Sequence, residues 1–185
     1  TAAPGHYDFK RAFKKSSNTY FIHHTLAEGR GIKQIINIGQ QLFLGKRTGL
    51  LPGQEANEQF PTMAQVNQGW SDGDTANIAI GQGPITVTPL QMALVTATVA
   101  NGGTAYHPRL ADRIESPGPR QQPHALRFQK GKRRGQLIVR PENLAIIRDA
   151  MRADVADDDG TGKSARIDGY AVCGKTGTAE VKSPS

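Results

Sequence analysis

Apolar positions in the first 45 residues recur at helical spacing. Phe9, Ala12 and Phe13 form a short stripe, a second helix begins near Asn18 and is closed by Gly29, and Ile32, Ile35, Ile36, Gly39, Leu42 and Phe43 mark a third that ends at Gly45. This pattern predicts a helical subdomain over 1–45. The stretch 46–87 is rich in Gly, Pro, Asn and Gln and shows little periodicity, with Phe60, Met63, Val66 and Trp70 as apolar anchors, so it predicts an ordered loop region. Over 88–185 the elements are sharper. Thr88-Pro89-Leu90-Gln91 combines a cap, a first-turn proline and a capping-box glutamine. The helix it opens is apolar nearly all round, through Leu90, Met92, Ala93, Leu94, Val95, Ala97, Val99 and Ala100, and predicts a buried central helix ended by Asn101-Gly102-Gly103. Residues 104–140 predict two strand regions around a Pro-rich loop. Pro141 opens a last helix with Leu144, Ile147, Met151 and Val155 on one stripe, and the acidic, Gly-rich 157–162 leads into a strand over 169–181. No internal repeat is present.

Bulk properties narrow this picture without deciding it. A length of 185 residues suits one domain with a sizeable core, and the start at Thr1 reads as a piece of something longer. No run approaches the eighteen or so apolar residues of a membrane span, and no leader pattern opens the chain; if the parent is membrane-anchored or secreted, the signal is expected upstream. The net charge of +7 is concentrated around Lys130, Lys132, Arg133 and Arg134. Without zinc ligands, a helix-turn-helix signal or interleaved aromatics, this cluster reads as a solvated hairpin tip and not as a nucleic-acid surface. Cys173 is the single cysteine, which excludes an internal disulfide framework and reads as core filling in a strand. His6, His23, His24, His107 and His124 show no ligand spacing, so neither metal nor cofactor is expected.

Two short motifs carry the chemistry. Lys175-Thr176-Gly177-Thr178 lies in the apolar run 170–179, with glycines bracketing its polar residues. A cation and hydroxyls there suit a carboxylate, and a free backbone N–H suits an oxyanion. Ser16-Ser17-Asn18 has the Ser-x-Asn form of an opposing wall, although a serine just before a helix also serves as an N-cap. A serine acyl-transfer site further needs a Ser-x-x-Lys pair, in which the lysine activates the nucleophile. Three residues beyond Ser16, Ser17, Ser71, Ser116 and Ser164 stand Thr19, Tyr20, Asp74, Pro119 and Ile167, and Ser183 and Ser185 have no such residue. The 185 residues therefore hold two of three site elements.

The order of these motifs resembles the transpeptidase domain of class B penicillin-binding proteins, and most closely the elongation or rod-shape type (penicillin-binding protein 2). The resemblance runs from about Gly5 to Val181. It rests on Gly5-His6, Ser16-Ser17-Asn18-Thr19-Tyr20-Phe21, Gly73-Asp74-Thr75, Ile80-Gly81-Gln82-Gly83, Thr88-Pro89-Leu90-Gln91-Met92-Ala93, Ala100-Asn101-Gly102-Gly103 and Gly174-Lys175-Thr176-Gly177-Thr178-Ala179. It implies an α+β fold of the serine β-lactamase and penicillin-binding transpeptidase kind, an antiparallel sheet with helices beside a helical subdomain and a cleft between them. It also implies a D,D-transpeptidase parent on the outer face of the bacterial cytoplasmic membrane, acting on peptidoglycan stem peptides, acylated by β-lactams, working beside other elongation proteins and anchored by an N-terminal segment. By the same resemblance Ser16 relays protons, Asn18 holds a substrate amide, and Lys175 supports Ser16 and a substrate carboxylate. Thr176, Gly177 and Thr178 bind substrate, with the Thr178 N–H forming half of an oxyanion hole, and Gly81-Gln82-Gly83 shapes the fold beside the site. The nucleophile helix and the strands flanking 169–181 are expected outside this chain. A serine β-lactamase or penicillin-sensing domain, and a non-catalytic interaction fragment of the same fold, stand as alternatives.

Overall fold

The computed structural model describes residues 5–27, 29, 31–56, 59–114, 126–127 and 130–178. Three helices open the chain as their periodicity predicts: α1 (Phe9–Lys14), α2 (Asn18–Ala27) and α3 (Gly31–Gln41). Asp8 caps α1 by accepting from the Arg11 N–H, and Gly29, at φ 60°, turns the chain out of α2.

The 46–87 stretch, read from its composition as ordered loop, contains two short helices, α4 (Met63–Asn67) and α5 (Asp72–Ala79). Both begin at complete capping boxes, Thr62 with Gln65 and Ser71 with Asp74, which satisfy the orphan N–H groups of their first turns. These spacings are the local signal that apolar periodicity missed. The expected anchors are half-buried: the Phe60 ring fills the space beside Gly39, where a Cβ would stand 2.2 Å from it, and the Trp70 indole donates to Thr75 Oγ1 at 3.0 Å. α5 packs on α2 and α3.

Helix α6 (Pro89–Ala100) starts at the predicted capping box, yet it is not the buried central helix its composition suggests. Only Gln91 and Thr98 are buried, while Pro89, Met92, Ala93, Thr96, Ala97 and Ala100 form an exposed face. Strand β1 (Thr104–Tyr106) and helix α7 (Pro141–Ala156) pack against α6, and nothing among the described residues covers that exposed face. Gln91 ties α6 to the end of α3 by donating to the carbonyls of Phe43 and Lys46.

Among the described residues the strands form two two-stranded antiparallel ribbons. β1 pairs with β4 (Arg133–Gln136), and β2 (Arg113–Ile114) pairs with β3 (Leu126–Arg127). The expected Pro-rich loop falls on 115–125, outside the described residues. The basic cluster lies at the turn around Gly131 and in the start of β4, where Arg133 pairs with Tyr106 at the end of β1. Lys130, Lys132 and Arg133 are exposed, whereas Arg134 stacks on the Phe43 ring at 4.2 Å and donates to the Arg47 carbonyl.

Helix α7 follows its predicted stripe, with Leu144 and Val155 buried and Ile147 and Met151 half-buried, and it packs on α1, with Ala150 and Ala153 of α7 and Ala12 of α1 all buried. The predicted strand over 169–181 is not formed over 169–178, and 179–181 lie outside the described residues. Its exposure alternates from Ala171 to Gly174 as in a strand, but no described segment pairs with it, and a β-ladder needs a partner. For the same reason Cys173 is exposed instead of filling a core.

Candidate active site

Ser16 sits where α1 ends. The Ser17 N–H donates to the Ala12 carbonyl at 2.9 Å and the Ser16 N–H to the Phe13 carbonyl at 3.1 Å, the paired bonds of a helix that closes on a left-handed residue. That residue is Ser16 itself, at φ 49°, a conformation that glycine usually supplies at this position. Ser16 therefore terminates α1 and does not cap α2. Ser17 immediately precedes α2 and is buried, with its hydroxyl 3.2 Å from that of Thr19. Asn18 opens α2 and is exposed.

Lys175 reaches this corner from the other end of the chain and donates to Ser16 Oγ. Its remaining protons meet Thr176 Oγ1 at 2.9 Å, the Thr176 carbonyl at 3.2 Å and Thr161 Oγ1 at 3.4 Å, and its Nζ lies 5.8 Å from the Phe13 ring centroid. Thr176, Gly177 and Thr178 are exposed along the same edge. Gln82, from the Gly81-Gln82-Gly83 turn, donates to the Thr178 carbonyl at 3.4 Å, which places that turn beside the motif. The structure thus brings Ser16, Lys175 and Thr176 together, with Asn18 one residue beyond Ser17 on the same corner.

Two further residues belong to this corner and were not singled out from sequence. Thr161 donates from both N–H and hydroxyl to Asp154 Oδ1, at 2.9 and 2.7 Å, and its hydroxyl lies 2.9 Å from that of Thr176. Asp154 is fully buried on the last turn of α7, where the apolar stripe gives no reason to expect a carboxylate. The loop 157–162 folds back tightly over it. A Cβ at Gly160 would stand 2.1 Å from the Asp154 carbonyl oxygen, so only glycine fits.

Charge fixes the same loop to α1. Lys14 bridges Asp157 and Asp159 at 2.8 and 2.7 Å, Lys15 bridges Asp159 at 3.0 Å, and Lys10 pairs with Asp149 of α7 at 2.9 Å. Hydrogen bonds from Lys14 and Lys15 hold the Asp159 carboxyl at about 2, below its ordinary value. The bond to Asp157, followed by that to Asp159, raises the Lys14 ammonium. No cluster of metal-ligating side chains occurs among the described residues.

A family model for the penicillin binding protein transpeptidase domain matches residues 2–185. The chain belongs to this family. It is 33% identical to the peptidoglycan D,D-transpeptidase MrdA of Acinetobacter baumannii over 94% of its length and 25% of the relative's, and 32% identical to the penicillin-binding protein PbpB of Mycolicibacterium smegmatis over 94% and 26%. Among solved structures, penicillin-binding protein 3 of Mycobacterium tuberculosis in complex with aztreonam superposes with a TM-score of 0.79 at 30% identity, covering 99% of this chain and 40% of that one. The D,D-transpeptidase domain of a peptidoglycan glycosyltransferase from Eggerthella lenta gives 0.80 at 25% identity, covering 98% and 44%. The fold is thus that of penicillin-binding transpeptidase domains, and the chain spans about a quarter of the length of the curated relatives it matches. No helix of the described residues is long and apolar enough to cross a membrane.

Proposed function

We propose that this chain is the part of a serine-type peptidoglycan D,D-transpeptidase that carries two of its three catalytic motifs, and that the protein it belongs to cross-links stem peptides and is acylated by β-lactams. The supporting observation is the hydrogen bond from Lys175 to Ser16, which joins motifs 159 residues apart in sequence. An ammonium held against an exposed hydroxyl is a proton relay facing solvent, which a merely structural lysine does not require.

In this reading a serine of a Ser-x-x-Lys pair, supplied from outside these 185 residues, attacks the penultimate D-alanine carbonyl and yields its proton to its own lysine. The carbon–nitrogen bond breaks, the departing D-alanine nitrogen takes a proton from Ser16, and Ser16 recovers one from Lys175. When a neighbouring stem's amine attacks the ester, its proton returns through Ser16 to Lys175, and the released serine regains the proton held by the Ser-x-x-Lys lysine. Asn18 orients the substrate amide, Lys175 and Thr176 receive a carboxylate, Gly177 lets the substrate approach the backbone, and the Thr178 N–H faces the oxyanion. The enzyme works on the outer face of the cytoplasmic membrane, where its polymeric substrate lies. A serine β-lactamase shares both motifs, but two relatives matched over most of this chain are named peptidoglycan D,D-transpeptidase and a third penicillin-binding protein.

Intact-mass spectrometry after incubation with excess penicillin tests this reading. The 185-residue chain is expected to stay unmodified, while a chain extended to include the Ser-x-x-Lys helix and the remaining strands gains one stoichiometric adduct. An adduct on the short chain that disappears in Ser16→Ala would make Ser16 a nucleophile and overturn its assignment as a relay.

A further inference from the structure

We propose that Asp154 and Thr161 are positioning residues that fix the acceptors holding the Lys175 ammonium against Ser16, an inference that rests on the acyl-transfer reading above. A carboxylate oxygen can only accept, so Asp154 Oδ1 draws both the N–H and the hydroxyl proton of Thr161 toward itself. Thr161 Oγ1 then faces the cleft with lone pairs alone. Its 2.9 Å contact with Thr176, in which either oxygen could donate by distance, must run from Thr176 to Thr161. With its proton spent, Thr176 Oγ1 can only accept, and the group aimed at it is the Lys175 ammonium at 2.9 Å.

The last link follows in the same way. Lys175 has three protons and no lone pair: one goes to Thr176 Oγ1, one lies between the Thr176 carbonyl and Thr161 Oγ1, and one goes to Ser16 Oγ. Since Ser16 accepts from Lys175, its own proton points away, into the cleft. A buried carboxylate at the far end of the chain therefore holds in place the ammonium that leaves Ser16 a hydrogen-bond donor to the departing nitrogen. If Thr161 loses its hydroxyl, Thr176 loses its acceptor and one ammonium proton loses a neighbour, so Lys175 is free to leave the Ser16 geometry.

Thr161 is exposed, so replacing it isosterically tests the idea without disturbing a core. In the full-length protein, the rate constant of acylation by a fluorescent penicillin and its non-covalent dissociation constant are measured separately by stopped flow. Thr161→Val is expected to slow acylation at least tenfold, well beyond any change in the non-covalent dissociation constant, with a melting temperature within about 2 °C of the parent. Thr161→Ser, which keeps the hydroxyl, is expected to stay within about threefold. Asp154→Asn, which can present an N–H where Oδ1 stood, should show a loss like that of Thr161→Val, and the double variant should be no worse than either single one. Acylation by Thr161→Val within twofold of the parent, or equal losses in the Val and Ser variants, overturns the inference. Should Asp154→Asn fail to fold, the Val and Ser pair decides alone. A parent protein that is not acylated at all instead overturns the transpeptidase reading.

Discussion

Ser16 is fixed by its own helix: two backbone hydrogen bonds close α1 around it, and three lysines of α1 and its end pair with acids on α7 and the following loop. Lys175 lies on a stretch with no ladder over 169–178, touching the molecule at separate points, Gly174 N–H to the Met151 carbonyl, Thr176 to Thr161, and Gln82 to Thr178. Yet the two side chains meet. The difference shows that one wall takes its geometry from helix termination and the other from a side-chain network, which a β-ladder can reinforce but need not create. Both walls depend on the loop 157–162, because Asp157 and Asp159 hold α1 while Thr161 holds Thr176.

The comparison breaks most completely if Lys175 is removed. Lys175→Ala in the full-length protein is expected to reduce β-lactam acylation by roughly 10²-fold or more, because the cation acts on developing charge, with little change in melting temperature. Equal losses in both measurements would make Lys175 a structural ion-pair partner. Next comes the shared loop. Gly160→Ala forces a Cβ against the Asp154 carbonyl and should cost about 1–3 kcal/mol in urea unfolding, loosening both walls together.

The helix-terminated wall can be sharpened separately. Ser16→Gly removes the hydroxyl but relieves a left-handed serine, so it should abolish the relay while leaving stability unchanged or raising it by up to about 1 kcal/mol. A clear destabilisation would mean that the Ser16 hydroxyl also holds the fold. The smallest effect is that of acid on the lysine clamp. The Asp159 carboxyl is depressed to about 2 in the folded protein, so its contribution is fully present above the ordinary carboxylate value near 3.8 and is lost as pH falls from there through about 2. Denaturant titrations over that range should show a shallower loss in Asp159→Asn than in the parent.

Much of this was legible from the chain. Helical spacing marked α1, α2, α3 and α7, the Thr88 box marked the start of α6, and the two motifs marked the corner where Ser16 and Lys175 meet. What escaped had physical causes. α4 is little more than one turn and α5 has Ile78 as its single large apolar residue, so neither shows a helical period and only their capping boxes mark them. The exposed face of α6 and the unpaired 169–178 stretch depend on which neighbours are present, and apolar composition does not record that. Asp154 and Thr161 were missed because a lone aspartate in an otherwise apolar helical stripe looks like an interruption. Its partner seven residues on is recruited by a loop whose path only the fold defines.

Cys173 was expected inside and is exposed instead, and as the sole cysteine it lies two residues before Lys175 with half-buried positions on either side. The chain consequently carries a ready attachment point for a thiol-reactive dye or spin label beside its candidate site. A probe placed there would report when the Lys-Thr-Gly segment acquires a neighbouring strand or a bound peptide, without altering any residue assigned to the chemistry.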